Sequence, residues 1–343
     1  ALVMVLLNQA LLVWCFGLLA MAMTPRPSRR LWIWLLLPLA LNFRPLLYLC
    51  SMAKIELLQT TLLVAGLVAI QRNRSWLAGA LAAFAGTLKP VPLLMVLYFV
   101  WKRDWRAVMG WVVAFAAIFV VSSTAFGAGA VWSYFYHAAW LSDMNAGLLS
   151  WYENQSLLGL AMRILNPVIQ PDSIFYVREA DIGRAELMVG MALRLACVAW
   201  LAFLMRPRPG QVNSRLRIAT EWSLAVTGMI LVSPFSRDYY AVFLLPAYLL
   251  LAAHLAQQER PWRSPASWLG ALSYVLVGQG FPLGVISRLP PVLPGMENFH
   301  AFLNYRIPTF GYLLLAAAWA KVLREETTSE AEHAVPVLAS TYA

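Results

Sequence analysis

The sequence predicts an all-α, polytopic integral membrane protein, and three observations carry that reading. Of 343 residues, 61% are hydrophobic and only 12% charged, with a mean hydropathy of +0.66; a soluble domain carries a far larger charged fraction. Apolar runs of about 18 to 25 residues recur, the length that a bilayer core demands of a helix. Between those runs, arginines and lysines gather in short loops, the pattern that orients spans in a membrane. The net charge of +10 is therefore read as topology and not as a surface for nucleic acid.

Taken in order, residues 1–23 form a span without the basic leader or cleavage site of a signal peptide, and they run into Arg26, Arg29 and Arg30 on the cytoplasmic side. Because the chain opens at Ala1 and not at a methionine, the expectation is a fragment that lacks an earlier span and outer loop. Residues 31–50 cross outward, and 57–71 return to Arg72 and Arg74. The stretch 75–101 is bounded by basic residues at both ends, with Lys102, Arg103 and Arg106 following it, and is interrupted by Lys89-Pro90-Val91-Pro92. Proline removes a backbone donor and disfavours helix in the residue before it. The spacing predicts two half-length helices in a re-entrant hairpin, a device tolerated at membrane depth where it lines a protein-enclosed cavity.

The span 107–126 crosses out and leaves 127–181 on the far side, where an amphipathic loop helix follows Glu153 to Ser156. Residues 182–205 return to Arg206, Arg208, Arg215 and Arg217, 218–234 go out, and 239–256 come back to Arg260 and Arg263. Residues 266–282 then go out and 302–320 return to Lys321 and Arg324. This makes about eight spans, a broken hairpin and an outer-face loop helix within residues 1–324, with 325–343 a polar, disordered cytoplasmic tail. Cys15, Cys50 and Cys197 lie far apart in apolar runs and read as buried, inert thiols. The four histidines show no ligand spacing, so neither a metal nor another cofactor is expected.

This topology gathers the candidate functional groups on the outer side: Lys54, Glu56 and Gln59; Lys89 at the hairpin tip; Asp143; Glu153 to Arg163; and Ser233 to Tyr240. Charged groups at membrane depth are costly and mark function. Each has a plainer reading beside it. Lys89 can hold a phosphate or snorkel to the interface. Asn154, Gln155 and Ser156 can form a site or cap the helix that follows, Ser156 being a good N-cap type, while Arg163 can anchor that helix to headgroups. Arg237 and Asp238 can be a surface ion pair worth little. Asp181, in Glu179-Ala180-Asp181, reads as a helix cap before it reads as a metal ligand. Trp132, Tyr134, Trp151 and Tyr176 read as an interfacial belt, although aromatic rings also stack on sugars.

Four pieces in this order resemble glycosyltransferase family 87, polyprenyl-phosphate-sugar-dependent enzymes of the GT-C superfamily. They are Leu58-Gln59 before an apolar span; Gly79 to Pro92 with its Leu-Lys-Pro-Val-Pro core; Asn154-Gln155-Ser156-Leu157-Leu158-Gly159 followed by Arg163; and Leu231-Val232-Ser233-Pro234-Phe235-Ser236 before Asp238-Tyr239. The resemblance spans roughly residues 30–255. It implies a GT-C-like bundle that moves a hexose, commonly mannose, from a polyprenyl-phosphate donor to a lipid or glycan acceptor on the outer face of the plasma membrane, with inversion. Membrane lipids are then the other partners.

In such a reaction a carboxylate near the anomeric carbon takes the acceptor's proton. Cations stabilise the charge that develops on the lipid phosphate. The resemblance assigns Lys89, Arg163 and Arg237 to the phosphate, with Gln59, Asn154, Gln155, Ser156 and Tyr239 lining the donor. No diphosphate leaves, so a metal is not required. The family's catalytic carboxylate lies in the outer loop expected before Ala1, which leaves Asp238 as the in-chain acidic candidate; relatives carry histidines where this chain has Arg237 to Tyr240. A polytopic transporter or lipid-carrier flippase is the alternative. Such a protein should show repeated halves and acidic residues in mid-span, and the sequence shows neither.

Overall fold

The computed structural model describes residues 2–23, 27–51, 54–139, 154–165, 184–207, 213–278 and 308–327. All regular structure among them is helical: α1 (Leu2–Ala22), α2 (Arg29–Leu41), α3 (Arg44–Ser51), α4 (Glu56–Gln71), α5 (Ser75–Leu88), α6 (Met95–Trp101) and α7 (Trp105–Phe126), then α8 (Ala128–Ala139), α9 (Leu157–Leu165), α10 (Arg184–Leu204), α11 (Arg215–Val232), α12 (Leu245–Leu255), α13 (Pro265–Gly278) and α14 (308–327). Short 3-10 turns at Val91–Leu94 and Asp238–Leu244 lead into α6 and α12. The chain is an all-α polytopic membrane protein.

Among the described residues, three helices are long and apolar enough to cross a bilayer: α1, α7 and α10. A fourth span is counted if α2 and α3, which meet at 60°, are taken as one. The expected crossing at 31–50 is therefore bent in the structure. Asn42 stops the helix, donating both its backbone N–H and its side-chain amide to the Pro38 carbonyl, and Pro45 brings no N–H to continue it. The expected span at 239–256 is likewise divided, into the Asp238–Leu244 turn and α12, with Pro246 in the first turn of α12. Helices α4, α5 and α13 are apolar but run only 16, 14 and 14 residues. Against an expectation of about eight spans, the described bundle is built largely of these shorter and broken pieces.

Local chemistry sets the ends. Asp104 accepts from the Ala107 N–H at 3.1 Å to open α7, and Gly127, with φ of 87°, closes it. Ser214 accepts from the Arg217 N–H at 2.9 Å to open α11. Both are side-chain caps on donors the helix cannot satisfy itself. Helices α4 and α11 lie in the centre, buried along almost their whole length, whereas α1, α7 and α10 show broad apolar faces outward, as lipid contact demands.

The bundle has two polar ends. At one, Gln71 donates to the carbonyls of Ala22 and Arg215, both at 3.1 Å, tying α1, α4 and α11. There Glu221, buried, pairs with Lys102 at 3.0 Å and Arg217 at 3.2 Å, which pins the α6–α7 turn to α11. A buried carboxylate is sustained only by such partners. The other end holds Lys54, Glu56, Lys89 and the 154–156 and 233–240 segments.

The tightest helix pair is α5 against α7. A Cβ on Gly79 would sit 1.8 Å from the Ala107 carbonyl oxygen, and one on Gly110 2.0 Å from that of Trp76. The two backbones therefore touch, the close approach that small residues permit in membrane helices. Gly79→Ala and Gly110→Ala should each lower the thermal unfolding midpoint in detergent, at a cost of about 1–3 kcal/mol by overpacking. Gly17→Ala, where nothing lies within 4 Å, should leave the midpoint unchanged or raise it slightly. Equal midpoints for all three variants would show that the α5–α7 contact is looser than described.

Candidate functional site

The site grows from the break at Lys89. Pro90 has no N–H, so α5 stops at Leu88 and Lys89 turns extended (φ −151°, ψ 138°). Carbonyls of this last turn are also met from other elements. Gln59 on α4 donates its amide to Ala85 at 2.7 Å and to Lys89 at 3.2 Å, and the Tyr134 hydroxyl donates to Leu88 at 2.9 Å. One turn before Gln59 on the same face, Glu56 forms an ion pair with the Lys89 ammonium. Glu56 is fully buried, while the Lys89 side chain keeps 29% exposure.

Tyr239, in the Asp238–Leu244 turn, is where the cations meet. The Lys54 ammonium lies 3.5 Å from its ring centroid, the Lys89 ammonium 5.4 Å and the Arg237 guanidinium 5.8 Å. Lys89 is also 5.4 Å from the Tyr240 ring, which meets Tyr239 edge-on at 5.0 Å, and Arg237 is 5.4 Å from Phe235. Each contact is a cation–π attraction worth about 0.5–2 kcal/mol. Asn8 on α1 donates to the Lys54 carbonyl at 3.3 Å and holds that strand of chain in place. Three positive side chains thus gather around this ring, one of them paired with Glu56. Like charges gathered so closely favour an anion among them.

A second junction sets the walls. The Asn154 carboxamide oxygen accepts from the N–H of Ser236 at 3.0 Å and of Ser156 at 3.2 Å, and its amide donates to the Pro234 carbonyl at 3.2 Å. The Gln155 N–H donates to Ser236 at 2.6 Å, and the Ser156 hydroxyl donates to Pro234 at 3.3 Å. Ser156 also caps α9, accepting from the Gly159 N–H at 3.1 Å. Thr309 at the start of α14 reaches the Gln155 carbonyl at 2.9 Å. All three residues are buried, so 154–156 and 233–236 form one hydrogen-bonded unit that carries Arg237 and Tyr239 on its far side.

Of the residues expected from sequence, the structure sets Lys89 and Arg237 beside the Tyr239 ring and Gln59 against the Lys89 backbone, and it joins Asn154, Gln155 and Ser156 to the segment that leads into Arg237. Arg163 lies on α9 and Asp238 opens the 3-10 turn; their side chains lie outside the described residues, as do Asp143, Trp151, Glu153, Tyr176, Glu179 and Asp181. Lys54 stood among the outer polar groups without being singled out, and Glu56 stood there as a fallback acid; nothing in the chain links positions 54 and 56 to position 89. Sequence reasoning missed Thr309, which had no signal, and Arg194, which had one: a charge inside an apolar run. Its Nε donates to the last carbonyl of α11, Val232, at 2.6 Å and steadies the chain just before Ser233.

Residues 1–234 match the family described as glycosyltransferase family 87, and the chain belongs to that family. It is similar to a polyprenol-phosphate-mannose-dependent alpha-(1-2)-phosphatidylinositol pentamannoside mannosyltransferase of Mycolicibacterium smegmatis (strain ATCC 700084 / mc(2)155), 31% identical over 192 residues. That match covers 55% of this chain and 41% of the relative, so the chain spans less than half the length of the curated relative it matches. No solved structure matches. The matched region holds Lys54, Glu56, Gln59, Lys89 and the 154–156 segment, and it ends just before Phe235, with Arg237 and Tyr239 beyond it.

Asn154→Ala removes the acceptor of two buried N–H groups, each costing about 1–3 kcal/mol when orphaned. It should lower the unfolding midpoint more than Ser156→Ala, which takes the acceptor from one N–H, that of Gly159. The reverse order in a detergent melt would refute the clamp.

Proposed function

We propose that this member of glycosyltransferase family 87 is a membrane glycosyltransferase that moves a hexose, mannose in the first instance, from a polyprenyl-phosphate donor to a lipid or glycan acceptor. The end carrying Lys54, Lys89 and Tyr239 faces outward and the C-terminus lies in the cytoplasm. The observation that carries the reading is the convergence of Lys54, Lys89 and Arg237 on the Tyr239 ring beside a buried carboxylate. The polyprenol-phosphate-mannose dependence of the relative supports the choice of donor.

The chemistry suits that arrangement. The acceptor oxygen forms a bond to the anomeric carbon as the bond from that carbon to the phosphate oxygen breaks, in one displacement with inversion. The acceptor's proton goes to a carboxylate, which we assign to Asp238, next in the chain to Arg237. The lipid phosphate leaves with the electron pair, so a phosphodiester of charge −1 becomes a monoester approaching −2. Fixed cations matched to that product stabilise the charge as it develops and need no reorganisation. Asn154, Gln155 and Ser156 hold the wall from which Arg237 and Tyr239 project, and Gln59 holds the Lys89 backbone.

A hydrocarbon chain also has a place to lie. An apolar groove of about 250 Å³ opens between α6, α10 and α11, lined by Leu94, Leu97, Val198, Leu201, Gly228 and Val232. Leu94 closes the turn that follows Lys89, and Val232 precedes Ser233, so the groove starts beside the cationic end. This juxtaposition of cations and apolar groove favours a lipid phosphate over a soluble sugar phosphate.

The test is transfer from radiolabelled polyprenyl-phosphate-mannose to extractable lipid or glycan by the protein in detergent. Lys54→Met and Arg237→Gln should each slow transfer by tenfold or more, about the scale set by losing one stabilising group from a developing charge, with unfolding midpoints kept. Transfer at the parental rate in both variants would sink the phosphate assignment. Lipid movement across vesicles without any transfer would instead favour a flippase.

A further inference from the structure

Lys89 is held at both ends by one helix. Gln59 takes its main-chain carbonyl at 3.2 Å, and Glu56, one turn earlier on α4, takes its ammonium. The carboxylate has no surface exposure, so it does not touch a bound substrate; the lysine it holds does reach the open side. One carboxylate oxygen carries the ion pair, while the other is buried with no hydrogen-bond donor among the described residues. The charge of Glu56 is therefore compensated through Lys89, and a buried charge without its partner is strongly destabilising. An ammonium has three N–H donors. Engaging one with Glu56 leaves two to face outward, at a place fixed against the Tyr239 and Tyr240 rings.

We propose that Glu56 is a positioning residue for the transfer reaction: it fixes the Lys89 ammonium where the lipid phosphate leaves and withholds one unit of positive charge from the site. This rests on the reading that Lys54, Lys89 and Arg237 bind the phosphate. With Glu56 present, the Lys89 charge is offset from behind and the phosphomonoester dianion can depart. Without Glu56 the site gains one unit of positive charge, over-binding the product and leaving Lys89 loosely held.

Glu56→Gln keeps the length and the acceptor oxygen but removes the charge. Purified Glu56→Gln should lower KM for polyprenyl-phosphate-mannose and strengthen inhibition by added polyprenyl phosphate, each about tenfold, the effect of one unscreened charge several ångströms away. Its kcat should fall as product release slows. Glu56→Ala, which also frees the ammonium, should lose about a hundredfold in kcat, the scale of an ångström-level misplacement. A role confined to folding would shift the unfolding midpoint and move neither KM nor product inhibition.

The pair is then closed as a cycle. Lys89→Met strands a buried carboxylate and should depress the unfolding midpoint, which Glu56→Gln in the same chain should restore. If Glu56 acts through Lys89, the double variant transfers no worse than Lys89→Met. Independent, multiplying losses in kcat/KM overturn the proposal, as does an unchanged KM and product inhibition in Glu56→Gln. Should Lys54→Met and Arg237→Gln still lose transfer, the phosphate site stands and only the role of Glu56 falls. Normal transfer by Lys89→Met, or by its restored double variant, removes both.

Discussion

A helix that stops inside a packed bundle leaves its last carbonyl oxygens short of helical donors, and the rest of this site is arranged around how those oxygens are met. The break at Lys89-Pro90 exposes the last turn of α5, and Gln59 and Tyr134 supply the missing donors from two other elements. In a low-dielectric interior such donors are obligatory. The requirement therefore fixes more than the break. It sets the register of α4 against α5, brings Glu56 opposite Lys89, and draws α8 over the same turn. Backbone satisfaction and side-chain chemistry are solved by the same few residues.

The second constraint is that the wall opposite Lys89 comes from sequence far away. The 154–156 segment and the 233–236 segment have little regular structure of their own, and each satisfies the other's backbone. Arg194 and Thr309 reinforce this unit from α10 and α14. At the opposite end, the Lys102–Glu221–Arg217 cluster fixes where α11 begins. With both of its ends held, α11 delivers Ser233 and the residues after it to a set position against α3 and α4.

Much of this was legible in the sequence. The composition and the basic loops fixed the membrane class, and paired prolines located the break to the residue. The polar string at 154–156 announced itself as neither loop nor span, and the same serine that looked like a cap is one. The breaks within apolar runs were less legible, because hydropathy measures such a run and not its continuity: Asn42 and Pro45 divide one run, and Pro246 with the 3-10 turn divides another. The polar lines of contact between helices were not legible at all. Glu56, Lys89 and Tyr239 are separated by 33 and 150 positions, and no local pattern of spacing encodes a meeting of that kind.

On the proposed function, a buried acid has a physical place behind a phosphate-binding lysine. Three cations on one aromatic ring repel one another when the site is empty, and the faces of Tyr239 and Tyr240 offset only part of that cost. A carboxylate behind one of them lowers the repulsion without occupying the space a phosphate needs. It must be buried to do so, because an exposed acid would compete with the substrate for the same donors and be screened by water. Burial is in turn affordable only where a cation is fixed nearby by other means, and the carbonyl grip of Gln59 on Lys89 provides that fixity. The ion pair and the helix break are thus two consequences of one arrangement: neither Glu56 nor Lys89 could hold its place without the proline that ends α5.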